Sequence, residues 1–181
     1  LTNGKLKNVS FELKQGEILG IAGLVGAGRT ETARAIFGAD TITEGEIYIK
    51  GKKVKVKSPL QAIRHGIGLI PEDRKRQGVM LWQSVSDNIS LVVIQELAGR
   101  LLVNNKKEKA LLDKEINMLN IKLQSVKQPV ESLSGGNQQK VVLAKWLATK
   151  CDILIFDEPT RGIDVGAKKE IYDFLFRLKK E

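Results

Sequence analysis

Residues 23–31 read Gly-Leu-Val-Gly-Ala-Gly-Arg-Thr-Glu, and this glycine-rich stretch decides the fold. The apolar residues 18–22 before it form a run short enough for a buried strand, and residues 32–37 after it are predicted to form a helix. A strand, a glycine loop and a helix in this order are typical of a phosphate-binding loop. Glycines permit positive φ and let backbone amides approach an anion, and the helix directs the positive end of its dipole to the same place.

The loop departs from the G-x-x-x-x-G-K-[ST] pattern at one position, where Arg29 replaces lysine. A guanidinium keeps the charge but is longer, planar and forked. The loop therefore predicts binding of nucleotide phosphates together with inefficient hydrolysis at this site. The alternative is a glycine-rich turn without a ligand. The candidate phosphate contacts are Gly23, Gly26, Ala27, Gly28, Arg29, Thr30 and Glu31, of which Thr30 is placed to bind Mg²⁺.

Composition describes an ordinary globular protein of 181 residues, with 42% hydrophobic and 28% charged residues, which is enough for one domain with a subdomain. The apolar runs are too short for a membrane span, and the first residues do not resemble a secretory signal. Because residue 1 is leucine, we expect a piece of a longer protein. The single cysteine, Cys151, excludes an internal disulfide and favours a reducing compartment.

The net charge of +9 has two interpretations. Clustered lysines and arginines would indicate nucleic-acid binding. Here the lysines are scattered and few aromatic residues accompany them, which favours a solvated basic surface, one that could face an anionic membrane. Nucleic acid is therefore not the expected partner.

Periodicity predicts strands over 6–13, 18–22, 67–70 and 153–156, and a hairpin that turns near Gly51. A short helix is expected over 58–66, capped by Ser58, with a loop over 71–78 after the next strand. From residue 86 to 150 the pattern becomes helical. Asp87 is a candidate N-cap there, and Leu112, Ile116, Leu119 and Leu123 share one apolar face. A final helix is predicted over 167–180.

Two acidic residues, Asp157 and Glu158, follow the apolar strand at 153–156. In a phosphate-loop fold this strand lies beside the strand that leads into the glycine loop, so Asp157 would hold Mg²⁺ opposite Thr30. Glu158 points elsewhere and is the candidate catalytic residue, polarising an attacking water. The alternative is a structural pair at the end of a strand.

A second candidate anion site lies at Ser134, Gly135 and Gly136, where two glycines and a hydroxyl begin a helix. The helical segment before it carries this site away from the first loop, so the two cannot easily serve one nucleotide. This arrangement predicts two nucleotide-binding units that meet head to tail and complete each other's sites. The alternative is an ordinary helix N-terminus.

These stretches together resemble the ATP-binding-cassette ATPases, through the phosphate loop at 23–30, the signature at 133–140, the strand end at 153–160 and a D-loop at 162–164. The resemblance is closest to the second cassette of bacterial ribose-, galactose- and arabinose-type sugar import ATPases, carried by residues 26–31, 71–76 and 159–171. It implies an α/β P-loop NTPase fold, with a RecA-like core of mixed sheet and an antiparallel β subdomain. The implied core covers 1–85 and 150–181, and the inserted α-helical signature subdomain covers 86–149.

The resemblance also implies ATP and Mg²⁺ as cofactors. Ser134, Gly135, Gly136 and Asp164 would contact the nucleotide of the partner cassette, and Glu72 would be a metal ligand where the family has glutamine. The family's switch histidine is expected beyond residue 181, and no adenine-stacking aromatic is evident, since Phe11 is expected in the core. The implied partners are a second cassette, membrane permease subunits and, indirectly, a periplasmic sugar-binding protein, on the cytoplasmic side of the bacterial inner membrane.

Two other functions stay open at this point. A regulatory nucleotide-binding cassette without turnover is favoured by Arg29 and Glu72. A nucleic-acid-associated cassette is compatible with the basic charge, but chromosome-maintenance types carry a long coiled coil that this compact helical segment lacks.

Overall fold

The computed structural model describes residues 1–98 and 103–178. The expected connection over 99–105 and the end of the last helix fall partly outside these residues. None of the described helices is long and apolar enough to cross a membrane. The helices are α1 (Arg29–Ile36), α2 (Pro59–Arg64), α3 (Val85–Ser90), α4 (Ile94–Leu97), α5 (Asn105–Leu119), α6 (Gly135–Ala148) and α7 (Val165–Leu178), and the strands are β1 (Ile47–Ile49), β2 (Lys52–Val54), β3 (Ile67–Ile70) and β4 (Ile153–Phe156).

Strands β3 and β4 form a two-stranded parallel sheet, with Ile67 opposite Ile153 and Ile70 opposite Phe156. The ladder continues past β4, because the amide of Asp157 donates to the carbonyl of Ile70 at 2.9 Å. The carboxyl ends of both strands therefore meet at one edge, which brings the loop after β3 beside the acidic pair after β4. The predicted strands at 67–70 and 153–156 are confirmed, although β4 is half-buried rather than fully buried.

The antiparallel hairpin of β1 and β2 also confirms the prediction. Its turn is made by Lys50 and Gly51, both at positive φ (51° and 74°), which matches the twist of a tight hairpin. Helix α2 begins as expected, with the Ser58 side chain accepting a hydrogen bond from the amide of Gln61.

Helix α6 lies at the centre of the core. Its residues Val141, Val142, Leu143 and Ala144 are at most 2% exposed, and it packs against β3, α3, α5 and α7. Lys140 extends these contacts, since its ammonium donates to the carbonyl of Asn120 at 2.9 Å and pairs with Glu170 of α7 at 2.6 Å. The Lys140 ammonium holds the pKa of the Glu170 carboxyl below its usual range. A single helix therefore connects the helical region to the sheet and to α7.

The predicted strands over 6–13 and 18–22 are wrong for this structure. Within the described residues neither segment joins a ladder of strands, and the expected core residue Phe11 is 48% exposed. Ile18 and Ile21 are likewise about half exposed, at 49% and 51%. The apolar pattern alone does not make a strand, because backbone N–H and C=O groups need a partner strand to form the ladder.

Two details of the helical region also differ from expectation. Helix α3 is capped by Ser84, whose side chain accepts from the amide of Asp87 at 3.0 Å, so Asp87 is the third helical residue rather than the cap. Helix α5 ends before Leu123, because Asn120 adopts the left-handed conformation (φ 50°) and closes the helix. Leu123 still packs against the core from the loop that follows.

One buried charge stands out on α5. Glu115 is 0% exposed, and within the described residues neither carboxylate oxygen accepts a hydrogen bond. Lys114 lies 3.4 Å from one oxygen and lowers the pKa, but burial outweighs it and raises the pKa of Glu115 above its usual value. Because the pKa of Glu115 is higher in the folded chain than in the unfolded chain, its protonation favours the folded state. This contribution to the free energy of unfolding is complete at pH values below the unfolded-state pKa. That contribution is lost as the pH rises through the folded-state value.

We therefore expect Glu115→Gln to raise the free energy of unfolding at pH 7.5, because it removes a buried carboxylate charge. The gain should shrink as the pH falls toward the unfolded-state pKa. Urea titrations of both proteins across this range measure the effect, with the exposed Glu96→Gln as the control. A gain that stayed constant with pH would contradict this account.

Candidate functional site

A cavity of about 290 Å³ lies over the glycine loop. Small-molecule sites begin at roughly 300 Å³, so the space suits a group of the size of a triphosphate with the rest of a ligand extending outward. The cavity is lined by Val25, Gly26, Ala27, Gly28, Arg29, Thr30, Glu31, Glu72, Glu158 and Arg161. Six of the seven predicted phosphate-loop contacts thus line one space with two of the predicted acidic residues.

The glycine loop has the backbone conformation that this role requires. Gly26 and Gly28 both have φ of 83°, in the left-handed region that residues with a Cβ rarely adopt. Helix α1 begins directly at Arg29, and the Thr32 hydroxyl donates to the carbonyl of Gly28 at 2.7 Å, which fixes the junction. Gly23 lies outside the cavity lining. The first amides of α1 are therefore aimed at the cavity.

Arg29 does not stand alone in the cavity. Its guanidinium donates to the carboxylate of Glu158 at 3.1 Å, across 129 residues of sequence. Glu158 has φ of 44°, an uncommon conformation for a residue with a side chain, which turns the chain sharply after β4. The residue that replaces the expected lysine is thus paired with the predicted catalytic carboxylate.

A second ion pair lines the same cavity, between Glu72 and Arg161. Glu72 follows β3 by two residues, and Arg161 belongs to the loop between β4 and α7. Arg161 is not among the predicted site residues. Its one signal in the sequence is its place inside the stretch 159–171 that carries the family resemblance, since an arginine is ordinarily a solvated surface residue. The predicted metal ligand Glu72 is engaged by this guanidinium.

Asp157, another predicted metal ligand, is 8% exposed and lies outside the cavity lining. Its position is set by the backbone bond to Ile70 described above. No group of three histidine, cysteine, aspartate or glutamate side chains within residues 1–98 and 103–178 has the geometry to hold a metal ion by itself. Magnesium bound with a nucleotide uses one or two protein oxygens and the phosphates, so such a cluster is not required.

The signature residues form a second location, outside the lining of this cavity. Ser134 caps α6, accepting from the backbone amide of Asn137 at 3.4 Å and from its side-chain amide at 3.0 Å, and remains exposed. Gly135 is half-buried and Gly136 is buried. A Cβ on Gly136 would lie 2.7 Å from the Cβ of Ala167 and 3.8 Å from Oδ2 of Asp164. Asp164 in turn accepts from the amide of Ala167 at 2.9 Å and so begins α7.

The structure thus separates the predicted site residues into two groups. Gly26 to Glu31, Glu72 and Glu158 share the cavity, whereas Ser134, Gly135, Gly136 and Asp164 cluster where α6 and α7 begin. A cavity with oriented amides and two guanidiniums, each paired with a carboxylate, can bind an anion that competes for those guanidiniums. A separate helix start with an exposed serine can contact a ligand held elsewhere.

The fold is that of an ATP-binding cassette. The model of the ABC transporter family matches residues 6–161, and the chain belongs to that family. The chain is 53% identical over 175 residues to the ribose import ATP-binding protein of Geobacillus kaustophilus, covering 97% of this chain and 35% of the relative. It is 51% identical over 174 residues to the xylose import ATP-binding protein of Thermoanaerobacter pseudethanolicus, covering 96% of this chain and 34% of the relative.

Solved structures agree with the family. A dimeric bacterial ABC transporter cassette superposes with a TM-score of 0.82 at 26% identity, covering 97% of this chain and 75% of that chain. A post-hydrolysis dimeric cassette bound to ADP and Pi gives 0.80 at 25% identity, with the same coverage. The chain thus spans about a third of the length of the curated relatives.

The Arg29–Glu158 pair leads to a prediction about nucleotide affinity. Glu158→Gln should tighten ATP binding by about tenfold, because it removes a negative charge from the cavity and frees Arg29 for a phosphate. Arg29→Ala should weaken binding by a similar factor. Calorimetric titration with ATP measures both, and Arg64→Ala, an exposed arginine of α2, is the control. Weaker binding by Glu158→Gln would refute this interpretation.

Proposed function

We propose that this chain is one nucleotide-binding cassette of a bacterial sugar importer, which couples ATP binding and hydrolysis to transport of a ribose- or xylose-like sugar. The observation that carries the proposal is the cavity at the start of α1, where oriented amides and Arg29 provide an anion site. The naming of relatives that are 53% and 51% identical as ribose and xylose import ATP-binding proteins supports the sugar class. The nucleic-acid alternative has no comparable support.

In this proposal the triphosphate of ATP occupies the cavity over residues 26–31. The amides of the loop and of the first turn of α1 bind phosphate oxygens, and the Arg29 guanidinium adds charge. The Thr30 hydroxyl and the Asp157 carboxylate would hold Mg²⁺, which when bound offsets charge on the β- and γ-phosphates. Glu72 is the weaker metal ligand, since Arg161 already engages its carboxylate.

Turnover at this cassette's own cavity is proposed to be slow. A general base must be free to accept a hydrogen bond from the attacking water, and Glu158 is occupied by Arg29. Arg29 is likewise withdrawn from the phosphates while the pair persists. This cassette therefore binds ATP more effectively than it hydrolyses it.

The signature residues are proposed to serve a second cassette. Ser134, Gly135, Gly136 and Asp164 lie outside this chain's own cavity, so they complete a site only when another cassette faces them. The dimeric form of a solved cassette with a TM-score of 0.82 supports this arrangement. Closing of the pair around ATP and reopening after hydrolysis would then transmit motion to the membrane subunits.

Contact with permease subunits is proposed for the helical subdomain at 86–149 and the loop at 71–78, with 1–85 and 150–181 forming the nucleotide-binding core. Trp82, 80% exposed, and Met80, 40% exposed, offer an apolar surface beside that loop. The cassette would then act at the cytoplasmic face of the inner membrane. A periplasmic sugar-binding protein would be an indirect partner.

A matched pair of cap substitutions tests the proposed role of the signature. In the full-length protein with its permease, Ser134→Ala should lower ATP hydrolysis and ribose uptake by about tenfold or more, because it removes a donor to the partner's nucleotide. Ser84→Ala, which removes the equivalent cap of α3, controls for the loss of helix capping. Equal activity of the two variants would refute the proposed site.

A second candidate function is a regulatory cassette that binds nucleotide without turnover, which the Arg29–Glu158 pair favours. If this cavity is mainly a binding site, Glu158→Gln in the full-length protein should retain more than about half of the turnover. Steady-state ATP hydrolysis with saturating ATP is the measurement. A loss of about a hundredfold would show instead that this cavity performs hydrolysis.

A further inference from the structure

Arg74 lies where the turn at 74–78, the loop at 160–164 and the start of α6 meet. Its guanidinium donates from Nη1 to the carbonyl of Arg161 at 2.8 Å and from Nη2 to the carbonyl of Gly162 at 3.1 Å. Both acceptors belong to the loop that leads to Asp164. A planar guanidinium can reach two successive carbonyls at once, whereas an ammonium is a single point charge. The side chain is half-buried, so these bonds are partly shielded from water.

The same guanidinium also lies against the start of α6. A Cβ on Gly135 would lie 2.8 Å from Nη2 of Arg74 and 3.4 Å from the carbonyl oxygen of Gly162. While Arg74 stays in place, a Cβ at position 135 would collide with its guanidinium, so only glycine fits there. The guanidinium is therefore wedged between the first residue of α6 and the carbonyls at 161–162.

The segment that carries Arg74 is itself fixed at both ends. Residues Arg74–Gly78 form a π-helical turn, a rare conformation that occurs frequently at functional sites. At its start the Asp73 carboxylate accepts from the amides of Lys75 and Arg76, at 3.1 and 3.2 Å. At its end the carbonyl of Gly78 accepts from the ammonium of Lys145 on α6. The turn is thus attached to the same helix that begins at Gly135.

Lys145 strengthens this attachment because it is enclosed. Burial lowers the pKa of Lys145 to about 8, and its ammonium lies 5.7 Å from the centre of the Trp146 ring. Burying a charged ammonium costs free energy, and the hydrogen bond to the carbonyl of Gly78 offsets part of that cost. The Glu72–Arg161 ion pair adds another connection between the residues after β3 and the loop at 160–164.

We propose that Arg74 is a positioning residue that joins the start of α6 to the loop at 160–164, so that Gly135, Gly136 and Asp164 are presented to a partner cassette as one surface. This inference rests on the proposed function, in which those residues complete the partner's nucleotide site. Without Arg74 two carbonyls lose their donors, and the loop is free to move relative to α6. Catalysis at the partner's site falls, because small misplacements of positioning groups reduce rates strongly.

The test uses the full-length protein with its permease and three variants. Arg74→Ala removes both hydrogen bonds, Arg74→Lys keeps the charge and one bond, and Arg64→Ala is the control. Arg64 is an exposed arginine of α2, outside the loop at 71–78 and the helical subdomain that are proposed to contact the permease. Amide hydrogen exchange and steady-state ATP hydrolysis are measured on each.

Arg74→Ala is expected to speed exchange over 160–164 and to lower kcat by about tenfold, while the KM for ATP changes by less than about twofold. Arg74→Lys should fall between Arg74→Ala and the unaltered protein, and Arg64→Ala should match the unaltered protein. An Arg74→Ala variant that behaves like Arg64→Ala in either measurement overturns the inference.

A double-substitution cycle with Gly135→Ala tests the wedge directly. In the presence of Arg74 the added methyl displaces the guanidinium, so Gly135→Ala should reproduce most of the loss of kcat seen for Arg74→Ala. In the Arg74→Ala background the methyl has room, and Gly135→Ala should add less than about a twofold further loss. If Gly135→Ala lowers kcat by the same factor in the Arg74→Ala background as in the unaltered protein, the inference is overturned.

The two measurements also separate this inference from the proposed function. Hydrogen exchange without ATP reports whether Arg74 holds the loop, whatever the protein transports. If the unaltered protein does not hydrolyse ATP, the proposed function fails. If it hydrolyses ATP and Arg74→Ala leaves exchange over 160–164 unchanged, the proposed role of Arg74 fails alone.

Discussion

The parallel pairing of β3 with β4 is the constraint on which the site depends. Because the two strands run in register from Ile67 opposite Ile153 to Ile70 opposite Phe156, their carboxyl ends release the chain at one edge. Glu72 leaves β3 and Glu158 leaves β4 at that edge, and both reach the cavity over the glycine loop. Residues separated by more than 80 positions in sequence thereby become neighbours at the place where ligands bind in open α/β sheets.

Ion pairs occupy that cavity. Of the three carboxylates in its lining, Glu72 pairs with Arg161, Glu158 pairs with Arg29, and Glu31 lies 3.5 Å from Lys5. These pairs are partly exposed, so each contributes little to stability, on the order of 1 kcal/mol or less. Their proposed consequence is functional, because an incoming phosphate would compete with Glu158 for Arg29. The arginine in the place of the family lysine thus changes what the neighbouring carboxylate can do.

The helix α6 carries the connection from the cavity to the signature surface. It packs in the core through Val141–Ala144, holds the turn after β3 through Lys145, and holds α7 through Lys140. Arg74 then joins the start of α6 to the loop before α7. A displacement at one of these points is passed on to the others, since packed contacts and paired polar groups resist independent movement. Under the proposed function, this coupling would carry motion between the cavity and the membrane subunits.

Sequence by itself predicted the family, the glycine loop before α1, the hairpin at Gly51, the helix α2 capped by Ser58, the helix that begins at Gly135 and the strand before Asp157, because each has a local signal in residue type and spacing. It also indicated that Arg29 alters the site. Only the tertiary structure decided which polar groups pair. Arg29 bonds to Glu158 and Arg74 bonds to the carbonyls at 161–162, and these contacts join residues that are 87 or more positions apart. The same reason explains the error at 6–13 and 18–22, where an apolar pattern predicted strands although a strand also needs a hydrogen-bonding partner that no local pattern reveals.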